Sequence, residues 1–468
     1  MTGFARELAI MIDLVRAKRG GVPALARRRD ARLAALVAHA RTSSPFYREL
    51  YRGLPAEDIP LRDLPPVTKP QLMARFDDWV TDPAITRADL EGFVADPSLV
   101  GTRYRGRYFA CTSSGTTGHP GLFVHDQAAV ACYRAQGVRI VGTALDARRL
   151  LAMLRRGIRA AAVLGTGGHF AGAVWLESER RRSRGRRRAY RMFSVQQPLE
   201  TLVQALNAFD PALLVAYPSA LELLAEEQDA GRLHIRPVIV ESSGESVGDR
   251  ERLAAALGGA VHNVYAASEF TPIALDCPRG WLHVNSDWVI LEPVEEDYGP
   301  TPAGEPSHTV LLTNLANRVQ PLIRYDLGDS VVAKPGPCEC GNPLPAIRVA
   351  GRHDDVLRLD NGRGGTVSVL PLAITAPIDD APGVHRCQLV QSGPAALRVR
   401  LQLEPGAAAD AVWQDVAAKL SGFLAAQGLA NVELVRAEEA PDQTGASGKF
   451  HQVIALRPAP DSVWKNIP

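Results

Sequence analysis

Thr112-Ser113-Ser114-Gly115-Thr116-Thr117-Gly118-His119-Pro120-Gly121 is the stretch on which the reading of this chain turns. Five hydroxyl side chains and three glycines lie between an apolar approach at 108–111 and an apolar exit at 122–124. Glycine permits backbone conformations that turn N–H groups toward an anion, and the hydroxyls add further donors. The stretch lacks the Gly-Lys-Ser/Thr ending of the P-loop. On composition alone it is equally the tip of a polar hairpin.

Outward from that loop the texture changes in both directions. Residues 1–100 mix basic and apolar positions in helical fashion, with Pro65-Pro66 and Lys69-Pro70 expected as turns. Beyond residue 105, short apolar runs alternate with amphipathic stretches. Residues 213–216 and 238–240 read as buried strands, with a helix at 220–228 between them. This alternation predicts an α/β fold of parallel-rich sheets covered by helices. Near the end, Leu397, Val399, Leu401 and Leu403 alternate as on a half-buried strand, and Val412, Val416, Leu420 and Leu424 recur at helical spacing. The expectation is a large N-terminal domain over 1–351 and a small, mobile α+β domain over 352–468.

The 468 residues carry 53 basic and 51 acidic side chains, a net charge of only +2. Such a balance does not suit a polyanion binder, and nucleic acid is not expected as a partner. No apolar run is long enough to cross a membrane, and no membrane partner is expected. Asp13 interrupts the apolar run at 8–15, so an amphipathic helix is expected there and not a signal peptide. Six cysteines in so long a chain suggest reduced thiols and a cytoplasmic protein. Seven arginines within 180–188 read as a solvated loop, or as an electrostatic guide for a nucleotide, CoA or an acidic partner.

The decapeptide resembles the signature loop of the adenylate-forming superfamily of acyl-CoA synthetases and adenylation domains, most closely its phenylacetate–CoA ligase and coenzyme F390 synthetase-like branch. Further segments resemble that family's motifs in the same order, over roughly residues 30 to 455. Ser242-Ser243-Gly244-Glu245 and Tyr265-Ala266-Ala267-Ser268-Glu269 are similar to its adenine-pocket and Tyr-Gly-x-Thr-Glu motifs. The resemblance implies that Tyr265 stacks on adenine, beside Gly244, Glu245 and Ser268, and that Glu269 holds Mg2+. One well-placed carboxylate with phosphate oxygens suffices for that ion. Arg324-Tyr325-Asp326-Leu327-Gly328-Asp329 is similar to the Tyr-Arg-Thr-Gly-Asp motif, with Asp329 as the ribose ligand. Arg352 would lie near the nucleotide and Asp354 would be the hinge. Lys449, in Pro441-Asp442-Gln443-Thr444-Gly445-Ala446-Ser447-Gly448-Lys449, would neutralise charge developing at the α-phosphate. Thr112, Ser113, Ser114, Gly115, Thr116, Thr117 and Gly118 would cradle the triphosphate. Thr116 joins Lys449 and Glu269 in the catalytic set. His119 departs from the family, where Lys is common, which implies a weaker and pH-dependent phosphate contact.

Cys277, His283, Cys338 and Cys340 pose a separate question. Cys3His is a common structural zinc set, and similar cysteines occur in some phenylacetate–CoA ligase-like proteins. The Cys-x-Cys spacing is tight, and free thiols or a partial set are the alternative.

The resemblance implies an ATP- and Mg2+-dependent ligase that activates a small, aromatic carboxylic acid as acyl-AMP and transfers it to CoA. A second reading changes the acceptor to an amine, an amino acid or another nitrogen nucleophile such as nitrite. A third is a non-catalytic nucleotide-binding protein, favoured only by His119. The region before Glu245 and residues 165–171, with Tyr217 and Phe270 as neighbours, are expected near the acid, although Gly167, Gly168 and His169 are equally a plain turn. A homodimer is the default oligomer.

Overall fold

The computed structural model describes the chain apart from residues 1–2, 56–58, 114–120, 145, 167, 196, 244–248, 353–356, 370–373, 376, 379–380, 442–451 and 457–468. The first strands, β1 (Phe109–Thr112) and β2 (Leu122–His125), pair antiparallel with Thr112 opposite Leu122, and so form the two stems of the hydroxyl-rich loop. Five strands then alternate with helices: β3 (Ala160–Leu164), β4 (Tyr190–Ser194), β5 (Leu213–Ala216), β6 (Ile239–Ser243) and β7 (Ala260–Tyr265). All pair parallel with their neighbours in the order β4-β3-β5-β6-β7. Ala160–Leu164 is buried throughout, as expected of a strand covered on both faces. The strand–helix alternation thus yields the α/β architecture expected of it.

Two short strands, β8 (Ala274–Asp276) and β9 (Leu282–Val284), extend the sheet antiparallel. A second sheet joins β10 (Val289–Val294), β11 (Thr309–Asn314) and β12 (Tyr325–Asp326). The strands β13 (Asp329–Ala333) and β14 (Ala346–Arg352) complete the large sheet at its β9 edge.

Helices Gly3–Arg19, Gly21–Ser43, Pro45–Leu50, Lys69–Ala74 and Arg87–Val94 make the lead-in mostly helical. Lys69-Pro70 departs from expectation, since it opens a helix and is not a turn. Thr68 and Gln71 form a capping box there, and proline in the first helical turn gives up only an N–H that has no partner in the helix. The arginine run departs as well: it closes the helix Ala171–Arg181 and forms the helix Arg184–Ala189. Ser183 caps the second helix by accepting from the Arg186 N–H, while Glu177 and Glu179 pair with Arg180, Arg181, Arg182 and Arg186. Arginine is a good helix former once its charge is matched locally.

By contact the described residues divide into two compact units, one comprising those of 1–327 and 331–349, the other those of 328–330, 350–441 and 452–456. The second unit has its own apolar core. In it β15 (Leu357–Asp360) pairs with β16 (Thr366–Val369), and β17 (Val384–Gly393), β18 (Ala396–Leu403), β19 (Glu433–Arg436) and β20 (Val453–Ile454) form a sheet in the order β19-β18-β17-β20. Helix Ala409–Ala426 buries Val412, Val416, Leu420 and Leu424, the spacing of four seen in the sequence.

Candidate active site

The loop stems are tied down from three sides. Ser113 N donates to Gly121 O at 2.9 Å, and Gly121 N returns a bond to Ser113 Oγ at 2.7 Å, closing the base of the loop. A side chain at Gly121 would meet the Phe123 ring at 2.8 Å, so glycine is required by close approach. Thr112 N donates to His169 O at 2.7 Å, joining the loop to the segment that leaves the C-terminal end of β3. Ser268 Oγ donates to Thr112 O at 3.3 Å. On the exit strand, buried side-chain amides take the place of a neighbouring strand: Gln320 bonds Val124 N and Leu122 O, and Asn317 donates to Val124 O.

Tyr265 ends β7 and is buried, and Ser268 and Glu269 follow in the next turn. Glu269 is also buried; its Oε1 accepts from Tyr325 OH at 3.0 Å and its carbonyl accepts from Asn314 Nδ2 at 2.8 Å. Thr112, Ser113, Ser268 and Glu269, far apart in sequence, therefore meet in one place. Strand-end turns of this kind, at the C-terminal side of a parallel sheet, are where open α/β folds bind ligands.

Asp329 opens β13, half-buried, and Arg352 closes β14. Ser114, Gly115, Thr116, Thr117, Gly118, His119, Gly244, Glu245, Asp354 and Lys449 lie outside the described residues. Arg324 is structural: it is buried, donates to the carbonyls of Arg62 and Leu64 at 2.9 and 2.5 Å, and pairs with Glu292 at 3.2 Å. Phe270 is fully buried, with its ring 4.9 Å from that of Tyr133.

Cys277, His283, Cys338 and Cys340 come together. Their ligand atoms all lie within 4.8 Å of one another, with Cys277 Sγ 3.9 Å from Cys338 Sγ and Cys340 Sγ 3.2 Å from His283 Nε2. Four ligands at about 2.3 Å from a tetrahedral ion would sit about 3.8 Å apart, so the set is of the right size for zinc. His283 Nδ1 donates to Leu344 O at 2.8 Å, which turns the lone pair of Nε2 toward the sulfurs. Burial lowers the pKa of His283, keeping it in the neutral form that ligates.

No protein-family model and no curated protein matches this chain. Among solved structures it is similar to 2-hydroxyisobutyryl-CoA ligase in the postadenylation state, in complex with R3-HIB-AMP, at a TM-score of 0.64 and 21% identity over 91% of this chain and 88% of that one. The chain has the adenylate-forming ligase fold. An open conformation of 2-hydroxyisobutyryl-CoA ligase in complex with 2-HIB-AMP and CoA gives a TM-score of 0.53 at 20% identity, over 92% of this chain and 90% of that one.

Within this ligase fold, a buried network that the sequence did not announce holds the Ser268–Glu269 turn. His125 Nε2 lies 2.9 Å from Ser268 O, which can only accept, so Nε2 carries the proton. Nδ1 then accepts from Tyr133 OH at 3.0 Å, and Tyr133 OH accepts from Asn314 Nδ2 at 2.9 Å. One neutral tautomer satisfies every partner. No spacing rule links positions 125, 133, 268 and 314, so only the fold could bring them to notice.

Burial pushes the pKa of His125 down to about 4. Between that value and the ordinary 6.5 the unfolded chain binds more protons, so stability rises with pH over this window and is lost as pH falls through it. His125→Gln is expected to flatten that slope, with wild type gaining about 2–3 kcal/mol more than the variant between pH 4 and pH 7. Urea unfolding of both proteins at the two pH values measures the difference; equal gains would show that His125 does not titrate in this way.

Proposed function

We propose that this chain is an ATP-dependent adenylate-forming ligase that activates a small, aromatic carboxylic acid as its acyl-AMP and transfers it to CoA. The observation that carries the reading is the meeting of Thr112 and Ser113, at the base of the hydroxyl- and glycine-rich loop, with Ser268 and the buried carboxylate of Glu269. An oxygen ligand set of this kind suits Mg2+ bound to a triphosphate, and Glu269 would hold that ion. The ion would neutralise phosphate charge. The loop would position the phosphates through Ser114, Gly115, Thr116, Thr117 and Gly118, and Tyr265, Gly244 and Glu245 would frame the adenine.

Asp329 would hold the ribose, and Arg352 would approach the nucleotide. Lys449 would stabilise charge as the carboxylate attacks the α-phosphate, releasing pyrophosphate. Movement of the 352–468 domain about Asp354 would then withdraw Lys449 and admit the thiol of CoA, which displaces AMP. The ligases of similar fold are known with acyl-AMP and CoA bound, which supports CoA as the acceptor.

Pyrophosphate release on offering a panel of aryl and aliphatic acids with ATP tests the first half-reaction. Mass detection after adding CoA, and separately amines and nitrite, tests the second. Failure to release pyrophosphate with any acid would remove adenylation from consideration; an amide or N-linked product without a thioester would overturn CoA as acceptor.

The Cys277–His283–Cys338–Cys340 set would hold a structural zinc, since four protein ligands leave no open position for catalysis. Purified protein is expected to carry about one equivalent of zinc, and Cys277→Ser to lower both the metal content and the melting temperature. Less than about half an equivalent in protein prepared without chelator would count against the site.

A further inference from the structure

Thirteen arginines fall within residues 146–191, against three acidic residues, in a chain whose net charge is only +2. The fold gathers them. Strands β3 and β4 run parallel with Ala160 opposite Tyr190, so the segments 155–159 and 184–188 arrive side by side at the N-terminal end of the sheet. The loop stem bonded to His169 O lies beyond the opposite, C-terminal end. The arginines therefore do not line the proposed nucleotide site. Arg148, Arg155, Arg184, Arg187 and Arg188 are exposed and make no ion pair among the described residues.

The helix Ala147–Arg155 adds an apolar component to the same region. Met153 is its buried side chain, whereas Leu150, Leu151 and Leu154 are 44, 47 and 54% exposed, and Ile158 beyond its end is 44% exposed. At about 100° per residue, Leu150, Leu154 and Leu151 span about 100° of the helix surface, turned away from Met153. Arg148 and Arg155 border that face on one side. An outward helix face is ordinarily polar, and an apolar one edged by cations needs a cover.

Shape and charge narrow what covers it. The helix is a ridge with little buried surface of its own, so it has no groove to receive a side chain but can press into a soft, flat surface. A second copy seated face to face would set arginines against arginines. We propose that this face docks on an anionic lipid surface, with the leucines entering the headgroup–acyl boundary and the arginines meeting lipid phosphates. The expectation of no membrane partner rested on the lack of an apolar run long enough to cross, which does not report on a local face. No helix among the described residues is long and apolar enough to cross a membrane, and none is needed for this mode.

Co-sedimentation of the full chain with vesicles of phosphatidylcholine alone, or of phosphatidylcholine with phosphatidylglycerol, tests the proposal. Binding to the anionic vesicles is expected to exceed that to neutral ones by about tenfold or more at low salt, and to fall in high salt. Arg187→Ser with Arg188→Ser, and separately Leu150→Ser with Leu151→Ser and Leu154→Ser, should each weaken it by about fivefold or more. Circular dichroism and melting establish that each variant is folded, and the two sets remove different chemistry, so one misfolded variant does not decide the matter. Equal partition onto both vesicle types, no binding to the anionic vesicles at low salt, or undiminished binding by both folded variants would overturn the proposal. So would a dimer in solution that the leucine substitutions convert to monomer, because a second copy would then be the cover. Acid-dependent pyrophosphate release is read separately, so the adenylation reading can fail without touching this one.

Discussion

Lys449→Ala is expected to lower acyl-AMP formation by about a hundred- to a thousandfold while leaving the transfer of a preformed acyl-AMP to its acceptor largely intact. Attack of a carboxylate on the α-phosphorus gathers negative charge on both partners. A lysine ammonium is a compact point charge on a flexible stem and can meet that charge without a rigid socket. Lys449→Arg should recover only part of the rate, because a planar fork does not present its charge as a point. Glu269→Gln should also impair adenylation, but by weakening Mg2+ binding, so raising Mg2+ would rescue it and not Lys449→Ala. Single-turnover measurement of pyrophosphate release, beside thioester formation from synthetic acyl-AMP, separates the two steps. Adenylation by Lys449→Ala within about tenfold of wild type would remove the role proposed for Lys449.

Sequence and structure agree where a local pattern states the physics completely. Leu213–Ala216 between turn residues, and Val412, Val416, Leu420 and Leu424 four apart, could hardly be anything other than a strand and a helix. The site was legible as residue types in order, not as a place. Nothing in Thr112 or Ser268 says that the hydroxyl of one meets the carbonyl of the other across 156 positions. The thiol pair at 338 and 340 lies 61 residues or more from Cys277, so spacing could suggest a metal set but could not close it. The errors run the other way, where context reverses a local bias. Pro70 looked like a turn and proved to be a first-turn helical proline, because Thr68 and Gln71 cap that helix. The arginine run looked like a solvated loop and proved helical, because Glu177 and Glu179, just before it, pair with arginines one turn on. Average charge likewise concealed a local face, since the +2 of the whole chain cancels the basic surface around Arg155 and Arg188.

Asp287→Ala is expected to destabilise the fold by about 3–5 kcal/mol, among the largest single effects available outside the apolar core. Asp287 is fully buried and takes both arms of Arg139, at 2.9 and 3.0 Å, while Arg139 Nη1 also reaches Asn285 Oδ1 at 2.8 Å. Arg32 approaches from the N-terminal helices, donating to Asp287 O at 2.6 Å with its guanidinium 3.5 Å over the Trp288 ring. Removing the carboxylate takes from the buried Arg139 guanidinium the two bonds that Asp287 gives it, and the desolvation of that charge is then matched less well. The argument therefore predicts an asymmetry. Asp287→Leu combined with Arg139→Met should be far less damaging than Asp287→Ala alone, because the pair's own desolvation disappears together with its attraction. Glu91→Ala, which breaks the exposed Arg87–Glu91 pair at 2.8 Å, should change stability by no more than about 0.5 kcal/mol. Urea unfolding of the four proteins at one pH reads all three comparisons. A loss below about 1 kcal/mol for Asp287→Ala would mean that Arg139 finds another partner or reaches water, and that the segment after β9 is less closed than its burial implies.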